Sequence, residues 1–225
     1  MAEVAQAGRT LLIRIMHTIL KDLNWRYATK RFDPDKPVSE ENLHIIKESL
    51  RLAATSYGLQ PLKFIIVESP ELRERLKTAS YGQSQITDAA HIIVICSFTD
   101  LEDAHVDAYM KDVAAAQSLP LEETSGFGDY VKQVIAPLST EEKASWNSRQ
   151  AYIALGQVMH TCASLRVDAT PMEGFDPLAY DEILGLKKQN LKATLVCAVG
   201  YRHADDEAQH RTKVRRSAED MFDVI

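Results

Sequence analysis

Arg26-Tyr27-Ala28-Thr29-Lys30-Arg31-Phe32-Asp33 is the stretch that most restricts the fold and the function of this 225-residue chain. It places three cations within six residues. Arginine can bind a phosphate through two parallel hydrogen bonds, and lysine acts as a compact point charge. A second basic run, Lys213-Val214-Arg215-Arg216, lies near the C-terminus. Each run is a candidate phosphate-binding segment, and each could also be a solvated basic surface.

The bulk composition is that of an ordinary globular protein, and we expect a single domain over residues 1–225. Hydrophobic residues make up 45% of the chain and charged residues 26%, so a core can form without disulfide or metal staples. The net charge of −6 argues against a broad nucleic-acid surface, because such a surface would usually be basic.

The cysteines and the N-terminal apolar run bear on the compartment. Cys96, Cys162 and Cys197 each lie in an apolar stretch, and their odd number and wide spacing fit neither a disulfide framework nor a zinc site. They predict small buried hydrophobes in a reducing cytosol. The apolar run at residues 11–20 is interrupted by a charge and is too short to span a bilayer. We therefore expect a cytoplasmic protein with no membrane or nucleic-acid partner.

Hydrophobic periodicity predicts helices that alternate with few strands, which is typical of an α+β layer fold. A capping box formed by Ser139 and Glu142 predicts the start of the longest helix, which should run to about Leu165. The other helices are predicted at residues 8–23, 39–54, 71–79, 102–119 and 177–184. Strands are predicted at residues 64–67, 91–96 and 194–199, and the second and third of these are continuously apolar and should be buried.

Two stretches are predicted to be irregular. Gly126-Phe127-Gly128 should break the helical pattern, and residues 168–177 should form a turn-rich loop. Within that loop, a proline and a glycine bracket the segment Pro171-Met172-Glu173-Gly174-Phe175-Asp176. Such a turn can expose consecutive backbone N–H groups to a ligand, although it could also be an ordinary connection.

Two further polar segments precede predicted strands. Residues 55–61, Thr-Ser-Tyr-Gly-Leu-Gln-Pro, offer hydroxyls and an amide on a loop, where ligand contacts are common. Gln83-Ser84-Gln85 could reach the edge of a heteroaromatic ring. Either segment could instead be a plain loop or a solvated helix start, so none of these signals is specific by itself.

Several common catalytic motifs are absent from the sequence. There is no G-x-G-x-x-G dinucleotide fingerprint, because Val131 occupies the third glycine position after Gly126 and Gly128. There is also no phosphate-binding P-loop, no G-x-S-x-G elbow and no H-E-x-x-H zinc motif. Redox chemistry would therefore need a cofactor held by a different scaffold.

The order of the polar segments resembles the FMN-dependent nitroreductase family, from about residue 20 to residue 216. The motifs that carry the resemblance are R-Y-A-T-K-R-F-D, G-L-Q-P before F-I-I-V, D-A-A-H at 88–91, P-M-E-G-F-D and K-V-R at 213–215. The resemblance implies a sandwich in which helices flank a small, mainly antiparallel sheet. It also implies a homodimer with extended terminal segments, with the long helix at residues 139–165 in the dimer core and one FMN at the subunit interface.

The resemblance also implies roles for individual residues. Arg26, Lys213 and Arg215 would bind the FMN phosphate, and Lys30 would lie beside the N1/O2 side of the flavin ring, where a cation favours negative charge. Backbone N–H groups of Glu173 and Gly174 would approach flavin N5. The remaining candidate cofactor contacts are Pro171 and Met172 on one ring face, Thr55, Ser56 and Gly58 from the partner subunit, and Tyr27, Ala28, Gln83 and Gln85.

The activity implied is hydride transfer from NADH or NADPH to FMN, followed by reduction of a nitroaromatic, a quinone or a similar small acceptor in a ping-pong order. Tyr57, Phe127 and Tyr130 are candidates for a lid over the acceptor, although core packing is an equal alternative. Two other functions stay open at this stage. One is a narrow enzyme of the same fold, such as a flavin reductase, an enone reductase or a dehalogenase. The other is a non-enzymatic flavin-binding protein.

The sequence departs from the family pattern at three places. Ala28 replaces a serine, so one hydroxyl contact is missing. The segment Gly58-Leu59-Gln60-Pro61-Leu62 lacks the asparagine and the aromatic residue that are usual there. Gln83 and Gln85 stand where many relatives have an asparagine and a lysine, so the N1/O2 side should depend mainly on Lys30.

Overall fold

The computed structural model describes residues 18–225, and its centre is a four-stranded antiparallel sheet in the order β1-β2-β4-β3. The strands are β1 (Leu62–Val67), β2 (His91–Phe98), β3 (Asp168–Met172) and β4 (Leu191–Gly200). The two middle strands, β2 and β4, are buried on both faces, as their continuous apolar runs predict.

Helices cover both faces of the sheet. After helical residues 18–25, here α1, the chain forms α2 (Glu40–Arg51), α3 (Pro70–Thr78), α4 (Gln85–Asp88), α5 (Asp103–Gln117), α6 (Glu122–Ile135), α7 (Thr140–Ser164) and α8 (Pro177–Ile183). Single 3₁₀ turns occur at Ser56–Gly58, Lys187–Gln189 and Glu207–His210. The predicted elements are present, although only part of the predicted helix over residues 8–23 falls within the described residues.

Side chains that alternate along the central strands divide the core into two layers. Ile93 and Ile95 of β2 face a cluster with Ile46 of α2 and Val158 of α7. Their neighbours Ile92, Val94 and Cys96 face the opposite cluster, which contains Leu76 of α3, Ile86 of α4 and Tyr180 of α8. The long helix α7 therefore lies against one face of the sheet, and it begins with the predicted capping box of Ser139 and Glu142.

The prediction of a helix break at residues 126–128 was wrong, because α6 continues through both glycines. A Cβ at Gly128 would lie 2.9 Å from Cγ of Met110, so the glycine allows α5 and α6 to pack closely. The prediction of a loop over 168–177 was wrong in its first half, since Asp168–Met172 pairs with β4. Pro171 is compatible with this strand because β3 lies at the edge of the sheet, the position where proline is tolerated.

A buried ion pair joins the start of β3 to the chain that leaves β4. Asp168 is 3% exposed, and Arg202 donates to its carboxylate through the backbone N–H at 2.9 Å and through the guanidinium at 2.7 Å. The Arg202 guanidinium also lies between two aromatic rings, 4.3 Å from the centroid of Trp25 and 4.5 Å from that of Tyr27. The ion pair thus fixes the segment after α1 against the sheet.

Among residues 18–225, no helix has the length and apolarity needed to cross a membrane. The cytoplasmic location stays a prediction.

We predict that Arg202→Ala lowers the free energy of unfolding by about 3 kcal/mol, because it leaves the Asp168 carboxylate buried without its cation. Urea unfolding of the ligand-free protein measures this change. Arg31→Ala is the matched control, since the Arg31–Asp205 pair is largely exposed and should contribute less than about 1 kcal/mol. Equal, small losses in both variants would contradict the assigned role of the Asp168–Arg202 pair.

Candidate functional site

A cavity of about 380 Å³ lies where the segment after α1 meets the C-terminal segment. Its walls come from residues 24–28 on one side and from residues 208–215 on the other. The cavity brings together Arg26, Lys213 and Arg215, the three cations for which the family resemblance implies contact with a phosphate. Tyr27 and Ala28, two further candidates, also line it.

The cations of this cavity lack negative partners among the described residues. Nε of Arg26 is buried and has no hydrogen-bond acceptor, and Nη2 reaches only the sulfur of Met159 at 3.8 Å. Burial, followed by the nearby charge of Arg215, lowers the pKa of Arg26. Burial also lowers the pKa of Lys213, with smaller effects from Arg26 and Arg215. A buried donor without an acceptor is costly, and an anion in this cavity would supply the missing acceptor.

Lys213 has a second role as a link between the two walls. Its ammonium donates to the carbonyl oxygens of Leu23 at 2.5 Å and Arg26 at 2.6 Å. The cation is therefore anchored to the end of α1, which fixes the width of the cavity.

The segment 171–174 forms a second polar site at the end of β3. Gln83 donates its side-chain amide to the Gly174 carbonyl at 2.6 Å, and the Tyr152 hydroxyl donates to the Glu173 carboxylate at 2.8 Å. Both Glu173 and Gly174 are exposed, and within the described residues neither of their backbone N–H groups takes part in a turn or loop hydrogen bond. These two amides are thus available to an acceptor on a ligand.

Helix α7 places this turn and the cation cavity on the same side of the molecule. Tyr152 contacts the turn and Met159 contacts Arg26, and the two positions are seven residues apart (159 − 152). Seven residues make nearly two full turns of helix, so both side chains point the same way, about 10 Å apart along the axis. The two polar sites can therefore contact opposite ends of one elongated ligand.

The loop at Thr55–Gly58 lies elsewhere in the same chain. The Ser56 N–H donates to the Gln150 side chain at 2.9 Å, and Gln150 precedes Met159 by nine residues (159 − 150). Nine residues at 100° each amount to half a turn beyond two full turns, so the two positions lie on opposite sides of α7. The structure therefore does not bring Thr55, Ser56 and Gly58 to the cation cavity within one chain.

The three lid candidates meet in an aromatic cluster. The Tyr57 ring lies 6.3 Å from Phe127 and 6.1 Å from Tyr130 in edge-on contacts, and 5.9 Å from Trp146. Phe127 and Tyr130 occupy adjacent turns of α6 and are about half exposed. Sequence analysis missed Trp146, although an aromatic residue near the start of the predicted long helix was a visible signal.

The remaining candidates occupy different environments. The Lys30 side chain is exposed and pairs with no carboxylate in the described chain. Met172 is buried in the core, Pro171 is partly exposed, and Gln85 is buried on α4. The cysteines are buried as predicted, and burial raises the pKa of Cys96 and of Cys197 to about 12, which keeps both thiols neutral. Within residues 18–225, no group of three or more histidine, cysteine, aspartate or glutamate side chains is placed so that it could hold a metal ion.

A family model described as the nitroreductase family matches residues 23–201. The chain belongs to the nitroreductase family. Its sequence is 31% identical over 216 residues to the major NAD(P)H-flavin oxidoreductase of Aliivibrio fischeri, and the match covers 93% of this chain and 99% of that one. It is 32% identical over 220 residues to a protein of Staphylococcus haemolyticus assigned as an NAD(P)H nitroreductase, with 94% and 99% covered. The family is one of oxidoreductases, so the resemblance drawn from the sequence is confirmed.

Solved structures confirm the fold. A protein of Exiguobacterium sibiricum, assigned as a nitroreductase and solved in complex with FMN, superposes with a TM-score of 0.78 at 18% identity, covering 92% of this chain and 97% of that one. The enone reductase CLA-ER of gut-bacterial fatty acid metabolism superposes with a TM-score of 0.74 at 18% identity, covering 89% and 94%. Proteins with different named activities thus share this nitroreductase fold.

We predict that inorganic phosphate at tens of millimolar raises the melting temperature of the ligand-free protein by roughly 2–4 °C, because it binds the cation cavity of the folded state only. Arg215→Ala should remove most of this gain. Arg216→Ala is the matched control, since Arg216 is the next residue along the chain and does not line the cavity. A gain that is the same in both variants would contradict the cavity as the anion site.

Proposed function

We propose that this protein is an FMN-dependent oxidoreductase that takes hydride from NADH or NADPH and reduces nitroaromatics, quinones or similar small acceptors in a ping-pong order. The observation that carries the proposal is the pairing of two sites on one side of α7. A cavity in which the buried Nε of Arg26 has no partner lies about 10 Å along the helix from a turn with two available backbone amides. That spacing suits a ligand with a phosphate at one end and a ring with acceptor atoms at the other.

The residues present fit FMN in charge as well as in layout. Arg26, Lys213 and Arg215 supply positive charge for a doubly charged phosphate, and that anion would satisfy the Nε of Arg26. The relative from Aliivibrio fischeri is named for flavin and NAD(P)H, and the neighbour from Exiguobacterium sibiricum was solved with FMN. Both comparisons support FMN and a nicotinamide donor here.

The chain's own groups would bind and orient the cofactor. The amides of Glu173 and Gly174, held in place by Gln83 and Tyr152, would donate to the flavin ring edge that includes N5. Lys30, an unpaired cation, would favour negative charge on the N1/O2 side. Bound FMN would supply the redox chemistry, namely two-electron transfer between the nicotinamide and the acceptor.

A homodimer would complete each site. Within one chain the Thr55–Gly58 loop and the cation cavity lie on opposite sides of α7, so contact of both with one flavin requires a second subunit. The exposed face of α7 offers a surface for that subunit, because its outward residues recur every three or four positions and include Tyr152 and Ile153, each 47% exposed. The members of this face are Ser145, Arg149, Tyr152, Ile153, Gly156 and His160.

The aromatic cluster is the best candidate for the acceptor side of the site. Tyr57, Phe127, Tyr130 and Trp146 offer ring edges and faces to a planar molecule, and aromatic contacts accept many flat substrates without selecting one hydrogen-bond pattern. This favours a broad acceptor range. Because an enone reductase has the same fold, an enzyme with a narrow acceptor range is a second candidate function. Activity measured with a panel of nitroaromatics, quinones, free flavin and enones distinguishes a broad acceptor range from a narrow one.

We predict that the purified protein is yellow and bleaches when NADH or NADPH is added without oxygen. Arg26→Ala should reduce FMN occupancy severalfold, because a charge-assisted contact to phosphate is lost. Lys30→Ala should keep FMN but lower its midpoint potential, because a cation beside the ring is removed. Absorption spectra and redox titration give both results. A double variant with full occupancy and an unchanged potential would show that these site assignments are wrong.

We predict that Gly156→Arg converts the dimer to a monomer and lowers FMN occupancy, because it places a charge in the centre of the exposed α7 face. Gel filtration with light scattering, together with the spectrum, measures both effects. Gly126→Arg is the matched control, since a Cβ at either glycine meets nothing within 4 Å and both positions are helical. A dimer that survives Gly156→Arg would exclude this face as the interface.

A further inference from the structure

A carboxylate that sequence analysis did not single out joins the two walls of the cation cavity. Asp206 is 3% exposed, although it belongs to the polar segment after β4. Its Oδ2 accepts hydrogen bonds from the Tyr27 hydroxyl at 2.9 Å, the Lys30 N–H at 2.8 Å and the Arg31 N–H at 3.2 Å. Its Oδ1 accepts from the Ala208 N–H at 3.0 Å.

These contacts fall on the segments that carry the phosphate-binding cations. Tyr27 follows Arg26 directly and Lys30 lies four residues after it, and Ala208 opens the stretch that leads to Lys213 and Arg215. Although burial acts to raise the pKa of Asp206, the hydrogen bonds from Lys30, Arg31, Ala208 and Tyr27 outweigh it and hold the pKa below its ordinary value. The carboxylate therefore stays ionised and keeps all its donors aligned.

The negative charge of Asp206 lies next to a cavity that is lined by cations. No lysine or arginine of the described chain forms an ion pair with this carboxylate. A negative charge beside an anion site opposes anion binding, so Asp206 does not help a phosphate electrostatically. Asp206 can favour phosphate binding only by holding the two segments together. This favourable effect opposes the electrostatic repulsion between its carboxylate and the phosphate.

We propose that Asp206 is a positioning residue that sets the geometry of the cation cavity and thereby makes the site selective for a flavin with a terminal phosphate. The proposal rests on the proposed function, since it assumes that FMN occupies the cavity. Asp206 acts through Tyr27, Lys30, Arg31 and Ala208 and contacts no part of the cofactor.

The test compares the affinities of FMN and riboflavin, which differ only in the phosphate, for ligand-free wild-type protein and Asp206→Asn by quenching of flavin fluorescence. The amide keeps the size of the side chain but turns a donor toward N–H or O–H groups. FMN binding should weaken by ~10-fold or more and riboflavin binding by less than ~3-fold. If only the loss of negative charge mattered, Asp206→Asn would bind FMN more tightly. Unchanged or tighter FMN binding therefore overturns the proposal. Equal weakening of both flavins also overturns it, since that result indicates general unfolding.

Two further variants keep the test decisive. Asp205→Asn is the matched control, because Asp205 is the preceding residue, is largely exposed and should leave the FMN-to-riboflavin ratio unchanged. Tyr27→Phe removes a single donor to Asp206 and should weaken FMN selectively by ~3-fold. If Asp206→Asn does not fold, Tyr27→Phe takes its place in the test. An FMN-to-riboflavin affinity ratio of Tyr27→Phe equal to that of the wild type would then overturn the proposal. A wild-type protein without preference for FMN would contradict the phosphate site of the proposed function instead.

Discussion

Two buried carboxylates hold the segment after α1 against the chain that leaves β4, and this attachment helps to bring the two walls of the cation cavity together. Asp168 pairs with Arg202 at the end of the sheet, and Asp206 accepts hydrogen bonds from both walls of the cavity. Each carboxylate is 3% exposed, so its bonds are shielded from competing water. The ends of two segments that are far apart in sequence thus become the walls of one site.

Bringing the cations of the cavity together has an energetic cost. Arg26 and Lys213 are partly removed from water and are repelled by nearby cations, so the pKa of each is lowered. Desolvation and repulsion of these cations destabilise the ligand-free protein, and an anion with two negative charges would offset this effect. Helix α7 then relates the cavity to the amides at the end of β3, because its rigid rise sets their separation.

Much of the fold could be predicted from local pattern. Continuous apolar runs identified β2 and β4, and the Ser139–Glu142 capping box located the start of α7. The errors came from residues whose local preference is overridden by packing. Gly128 allows two helices to approach, and Pro171 lies in an edge strand, where proline is tolerated.

The candidate site was predictable in part for a similar reason. The cations and the segment 171–174 consist of residue types that commonly contact ligands, so the sequence alone identifies them as candidates. Their proximity is visible only in the structure. Asp206 gave no such signal, because acidic residues are common in polar tails, and the aromatic side chain of Trp146 did not by itself indicate a contact with Tyr57. Their roles arise from contacts across more than 80 residues of chain, with Tyr27 and with Tyr57 respectively (206 − 27 and 146 − 57).

A crystal structure of the protein with FMN would show directly what the cation cavity binds. We expect the phosphate to lie within hydrogen-bond distance of Arg26, Lys213 and Arg215, and the Thr55–Gly58 loop over the flavin ring to belong to a second chain. A phosphate bound outside that cavity, or a flavin bound wholly within one subunit, would contradict this expectation.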